Sequence, residues 1–240
     1  MPANQQTSRQ PEFQKKRRRF QSSSIFFIVG AAAIVAATAI WLFNEYDNKR
    51  AAENSRQTAQ TLMDIILAGD PSNIASGEGG SGGPGEGVSG AGDVPDGDFP
   101  DSGVPGGNLA YVVVGEEAYI GVLSIPRFSL NLPVNLTWSY PKLRMSPCRY
   151  SGDIGNNDLV IAAHSYRSHF GNINSLSYGD EVIFTDTSGV EYRFYVALVD
   201  TAKPSETRAV VSSQYHLTLF TCTYDSRARV VARCFLADVQ

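Results

Sequence analysis

Residues 217–223 read Leu217-Thr218-Leu219-Phe220-Thr221-Cys222-Thr223. Thr, Leu and Phe in this pattern suit a strand. The strand ends in a cysteine just before the turn-prone pair Asp225-Ser226. A thiol at a strand end beside a turn sits where a substrate can reach it. The competing reading is a small buried hydrophobe, which most free cysteines are. A two-residue turn at Asp225-Ser226 would pair Tyr224 with Arg227, Thr223 with Ala228 and Cys222 with Arg229. A guanidinium opposite a thiol favours the thiolate and can donate to an oxyanion. Arg227 and Arg233 share the parity of Arg229. A shifted turn would bring forward Arg227 instead, and a solvated strand face is the plain alternative for all three.

Outward from this stretch, β signals dominate from Tyr111 onward. Candidate strands are Tyr119–Ile125, Asn131–Asn135, Asp158–Ala163, Glu181–Thr185, Tyr192–Asp200, His216–Cys222 and Ala228–Ala237. Asp186-Thr187-Ser188-Gly189 reads as a hairpin turn. Short helices fit around 139–146 and 168–177. Many short strands at this spacing point to a closed barrel or a sandwich.

Three histidines are candidates to serve Cys222. His216 would stand about 20 Å away along the same strand and is excluded as a partner. His169 lies in a polar loop. His164 ends the apolar run Leu159–Ala163 and, like Cys222, stands at the mouth of a strand. A strand-end His and a strand-end Cys make the better candidate pair. Cys148, Cys222 and Cys234 are odd in number, so at least one thiol is unpaired within the chain. Cys148 and Cys234 either pair or stay as buried thiols.

The formal net charge of -4 conceals unlike regions. Residues 1–24 are polar and carry the basic block Lys15-Lys16-Arg17-Arg18-Arg19. Residues 25–43 contain no charge and would make a helix of about 28 Å, close to the bilayer core. A cleavable signal peptide is the rival, but Trp41-Leu42-Phe43 at the end suit an interface rather than a cleavage site. The basic block then places the N-terminus in the cytoplasm and the rest outside. Residues 44–75 read as a helical juxtamembrane stalk, with Leu62, Ile65 and Ile66 as its stripe. Residues 76–107 hold thirteen of the 22 glycines and six acidic residues, the composition of a flexible linker. Residues 108–240 remain for one folded domain, roughly 130 residues.

No CxxC motif or His/Cys cluster suggests zinc, and scattered acids such as Glu116, Glu117 and Asp153 make no recognisable site, so no metal and no cofactor is expected. No phosphate-cradling glycine loop or aromatic-basic pattern points to nucleotides or nucleic acid.

Three stretches together resemble the sortase family of Gram-positive cell-surface transpeptidases. TLFTC at 218–222 fits the family's TLxTC signature. DLVIAAHSYRSHFGNINSL at 158–176 is similar to its strand-end histidine segment, and IGVLSIPRFSLNLPV at 120–134 to its first barrel strands. SPCRYSGDIGNNDLVIAAHSYRSHF, from Ser146 to Phe170, looks like the class B-like branch. The resemblance implies a mainly β, closed eight-stranded barrel with short helices behind one transmembrane helix. It implies Cys222 as nucleophile, His164 as acid/base, Arg229 as the essential arginine and Thr221 as a substrate-binding neighbour. The connection after Cys222 is shorter than in many members, which leaves Arg227 in play. The implied reaction cleaves an LPxTG-like sorting motif of surface proteins and transfers the acyl group to a cell-wall amine. A pilus-assembling enzyme using a pilin lysine, or a non-catalytic wall-binding barrel, are the alternatives.

Overall fold

The structure, a computed structural model, describes residues 21–69, 74–77, 109–206, 210–211 and 214–237. The basic block therefore lies outside the described residues, as does the Gly-rich linker apart from Ser76 and Gly77. The chain divides into two units, Met1–Glu45 and Tyr46–Gln240.

Helix α1 runs from Gln21 to Ala68. In the first unit the large apolar side chains among its described residues, including Phe26, Ile28, Ile34, Ile40 and Trp41, are exposed. Such a surface is costly in water and suited to lipid. The helix is long and apolar enough to cross a membrane.

In the second unit the same helix changes character. Ala51, Ser55, Ala59, Leu62 and Ile66 are buried, at spacings of three and four residues that make one stripe. Leu62 and Ile66 pack with Val112, Tyr119 and Val122 on the outside of the β domain. The stalk is thus held along the barrel rather than standing off from it. The stripe expected from Leu62 and Ile66 extends back to Ala51. It was hidden because Ala and Ser carry little hydropathy signal.

The β domain contains β1 (Ile74–Gly77), β2 (Leu109–Val114), β3 (Glu117–Ile125), β4 (Leu130–Asn135), β5 (Cys148–Ser151), β6 (Leu159–Ala162), β7 (Glu181–Asp186), β8 (Glu191–Ala202), β9 (Leu217–Cys222) and β10 (Arg229–Leu236). Strand order is β1-β2-β3-β4-β5-β6-β9-β10-β8-β7, and β7 pairs back onto β3. The closed part, β3 to β10, is an eight-stranded barrel, with β1 and β2 as a flap extending from β3. Ser76 and Gly77 pair with Ala110 and Leu109 in this flap. A mainly β closed barrel was the expected fold, and closure removes all free edges from the eight strands.

Closure depends on one glycine. Gly121 sits at a bulge in β3 with φ +152°, where a Cβ would run into the Thr185 carbonyl and come within 2.8 Å of Phe184. The bulge also places Tyr119 and Val122 together on the outside, while Ile120, Leu123 and Ile125 join the interior. Side chains of β9 alternate in the ordinary way. Leu217 and Leu219 fill the barrel with Leu159, Ile161, Phe194 and Cys234. Phe220 points outward to a second cluster with Tyr150, Val160, Ala162 and Val231.

All three cysteines are free, so Cys148 and Cys234 do not pair. Burial pushes both thiols up to about 12. Helix α2 covers Tyr140–Met145, capped by the Ser139 hydroxyl accepting from the Lys142 amide. The second expected helix, around 168–177, reduces to a single 3-10 turn at Ile173–Ser175. Gly171, Asn172 and Asn174 have low helix propensity, and the chain here spends its hydrogen bonds on turns.

Candidate active site

The site is assembled by two ladders that share β9. On one side β9 runs parallel to β6, with Leu219 opposite Ile161 and Phe220 opposite Ala162. The pairing continues past the end of β6, because the Ala163 amide donates to the Phe220 carbonyl at 3.1 Å. The Thr221 hydroxyl then donates to the Ala163 carbonyl at 2.8 Å. His164 lies two residues beyond Ala162 and Cys222 two residues beyond Phe220, so each follows the same end of its strand.

On the other side β9 runs antiparallel to β10, and Cys222 is the direct partner of Arg229. The expected pair of Thr223 and Ala228 is present, with the Thr223 amide donating to the Ala228 carbonyl at 2.9 Å. The turn differs from the expected two-residue form. Tyr224–Arg227 make a four-residue loop, with the Ser226 amide donating to the Thr223 carbonyl and Ser226 at φ +59°. One residue leaves the ladder on each side, so the register between Cys222 and Arg229 is unchanged. Cys222 and Arg229 are thus cross-strand partners at the mouth of β9 and β10, and His164 follows the same end of the neighbouring strand β6.

The two arginines are separated by this geometry. Arg229 is 8% exposed, and its Nη1 donates to the Ala228 carbonyl at 3.2 Å. Arg227 projects into solvent, its side chain 87% exposed beside Asp225. Arg233 is buried further along β10, 3.5 Å from Asp200.

A cleft opens in front of Cys222. Cys222, Thr221, Phe220 and Arg229 line one side, Trp138, Tyr140 and Leu143 the other, with Tyr150 and Ala162 between. Aromatic contacts make its floor rigid: Tyr150 meets Phe220 edge-on at 5.1 Å and Trp138 at 5.7 Å. Thr221 reaches this cleft, but its hydroxyl is committed to Ala163.

His164 is half-buried and does not line the cleft; its ring stacks on Tyr166 at 4.0 Å. Burial, then the charge of Arg144, lowers its pKa below the ordinary value, and Asp47 opposes them. The imidazole is therefore neutral near pH 7, the form that can accept a thiol proton. His169, expected in a polar loop, is fully buried, and burial pushes its pKa down to about 4. His216 stands at the opposite end of β9, where its Nδ1 accepts from the Leu236 amide.

Tyr166, the aromatic cleft wall and the buried His169 escaped the sequence reading. The only signal for Tyr166 was an aromatic two residues after a strand-end histidine.

Residues 123–237 match the family model described as the sortase domain. No curated protein matches the chain. Similar solved structures include sortase A from Corynebacterium diphtheriae, with 22% identity and a TM-score of 0.46 over 52% of this chain and 64% of that one. Sortase C1 from Streptococcus agalactiae shows 22% identity and a TM-score of 0.47, covering 53% and 72%. Sortase C from Clostridium perfringens with the C-terminal cell wall sorting motif shows 21% and 0.45, covering 50% and 71%. The chain thus spans under two thirds of the length of the Corynebacterium protein.

Proposed function

We propose that this chain, whose residues 123–237 belong to the sortase family, is a membrane-anchored cysteine transpeptidase acting on sorting-signal-bearing surface proteins. The observation that carries the reading is the register that pairs Cys222 with Arg229 while β9 runs beside β6, the strand that leads into His164.

In this mechanism neutral His164 takes the proton from the Cys222 thiol. The thiolate attacks the carbonyl carbon of the scissile peptide bond in an LPxTG-like motif, after its threonine. An S–C bond forms, and the carbonyl electron pair moves to oxygen. Arg229, held at the mouth of β10, donates to that oxyanion. The C–N bond then breaks, and His164 returns its proton to the leaving amine. An incoming amine attacks the thioester, gives its proton to His164 and expels the thiolate. A cell-wall precursor amine is the acceptor in this reading, and a pilin lysine would serve the same chemistry.

Thr221 acts by tying β9 to the end of β6 beside the histidine. Residues 25–43 anchor the enzyme, and Lys15–Arg19 ahead of the span keep the N-terminus cytoplasmic. The 146–170 segment supports a class B-like member.

The test is mass spectrometry of the full chain in detergent, incubated with LPxTG-like peptides with and without an amine acceptor. An acyl adduct on Cys222, absent in Cys222→Ala and resolved by amine, is the expected result. A folded protein that forms no adduct with any peptide, and whose Cys222 ignores thiol probes, would instead be a wall-binding barrel.

A further inference from the structure

Beyond Cys222, His164 and Arg229, one hydroxyl from the juxtamembrane helix reaches the loop that follows His164. Ser55 on α1 is 2% exposed. Its single O–H donates to the Met145 carbonyl at 2.8 Å, and its oxygen lies 3.0 Å from His169 Nε2. With that proton already committed, the serine oxygen accepts and the imidazole donates from Nε2. His169 is fully buried, and burial keeps it neutral near pH 7.

The partners of Ser55 belong to two elements beside the site. Met145 ends α2, which carries Tyr140 and Leu143 into the cleft. His169 sits in the loop that begins at His164, and this loop is tightly crossed. The Phe170 amide donates to the His164 carbonyl at 3.3 Å, and the His169 and Gly171 amides both donate to the Tyr166 carbonyl. A Cβ on Gly171 would lie 2.7 Å from the Ser165 carbonyl oxygen and 2.8 Å from that of Tyr166. Movement at His169 is therefore passed to His164 and to the Tyr166 ring stacked on it. About two helical turns earlier, the Asn48 side chain accepts from the Ser168 hydroxyl at 3.1 Å and faces its amide at 3.4 Å.

We infer that Ser55 is a positioning residue: through His169 and the Met145 carbonyl it fixes the loop carrying His164 against the cleft wall carried by α2. The helix that leaves the anchor is then a working part of the site and not only a tether. The activity side of this inference rests on the transpeptidase reading; the structural side does not.

The experiment uses the full chain in lipid nanodiscs, with ¹⁵N-labelled histidine rings and a sorting-peptide transpeptidation assay. Ser55→Ala is expected to shift the His164 ring resonances and lower kcat by roughly 10- to 100-fold with KM unchanged. Ser55→Thr, which keeps the hydroxyl, is expected to restore both. A folded Ser55→Ala protein with wild-type His164 resonances and wild-type kcat would overturn the inference. If Ser55→Ala does not fold, Asn48→Ala decides. It loosens the same loop at a half-exposed position, and unchanged His164 resonances there would count against the proposal equally. If the wild type transfers no peptide, the transpeptidase reading falls while the ring spectra still answer the structural question.

Discussion

Arg229 and Cys222 are direct partners across the β9–β10 ladder, although four residues and not two separate the pairs at the hairpin's tip. The neighbouring Arg227 stays in solvent. Substitution at the two positions should therefore give very different results. Removing one oxyanion donor from a preorganised site costs about 10²- to 10³-fold in kcat. Arg229→Ala is expected to fall in that range in the peptide assay, and Arg227→Ala to stay near wild type. Equal losses at both positions would mean that the loop rearranges on binding substrate.

The Thr221 hydroxyl is buried and ties β9 to the Ala163 carbonyl next to His164. Thr221→Val keeps the shape and removes the donor, leaving a buried carbonyl without its partner. Urea unfolding should show a loss of about 1–3 kcal/mol. Transpeptidation should fall with it, because the two reactive strand ends are no longer pinned together.

His169 titrates near 4 in the folded protein, against about 6.5 when unfolded. Below the unfolded value the unfolded chain binds a proton that the native state refuses. The contribution of His169 is therefore complete above pH 6.5 and is lost as the pH falls towards 4. Between pH 7.5 and 5 this amounts to about 2 kcal/mol. Unfolding curves at those two pH values should show the loss in the wild type. His169→Gln should show a smaller pH dependence by about that amount.

Leu62 of the juxtamembrane helix is completely buried against Val112, Tyr119 and Val122. Leu62→Ala should destabilise the β domain by about 2–5 kcal/mol. Thermal unfolding followed in the aromatic near-UV region reads this directly. A stalk that only touched the barrel would give no shift.

Much of this arrangement was legible in the sequence because it is local. A hairpin fixes its own register, and a loop of two or four residues leaves Thr223 opposite Ala228 either way. The same locality made His164 and Cys222 visible as strand ends. The pairing of their strands was not derivable from spacing, since β6 and β9 are parallel neighbours with β7 and β8 between them in the chain. Strand β5 was passed over because Cys148–Ser151 is four residues long, follows Pro147 and carries a register shift that breaks its alternation. The Ser55–His169 contact left no trace at all: a serine in a helix and a histidine in a polar loop become buried only when the two segments dock.

The parallel pairing of β6 with β9 has a kinetic consequence. Hairpins such as β7–β8 and β9–β10 close short loops and form early, whereas β6 and β9 must find each other across more than fifty residues of chain. The strand that leads into His164 and the strand that ends in Cys222 therefore come together late in folding. Pulse-alkylation of Cys222 during refolding would follow that late step, its labelling changing only as the barrel closes.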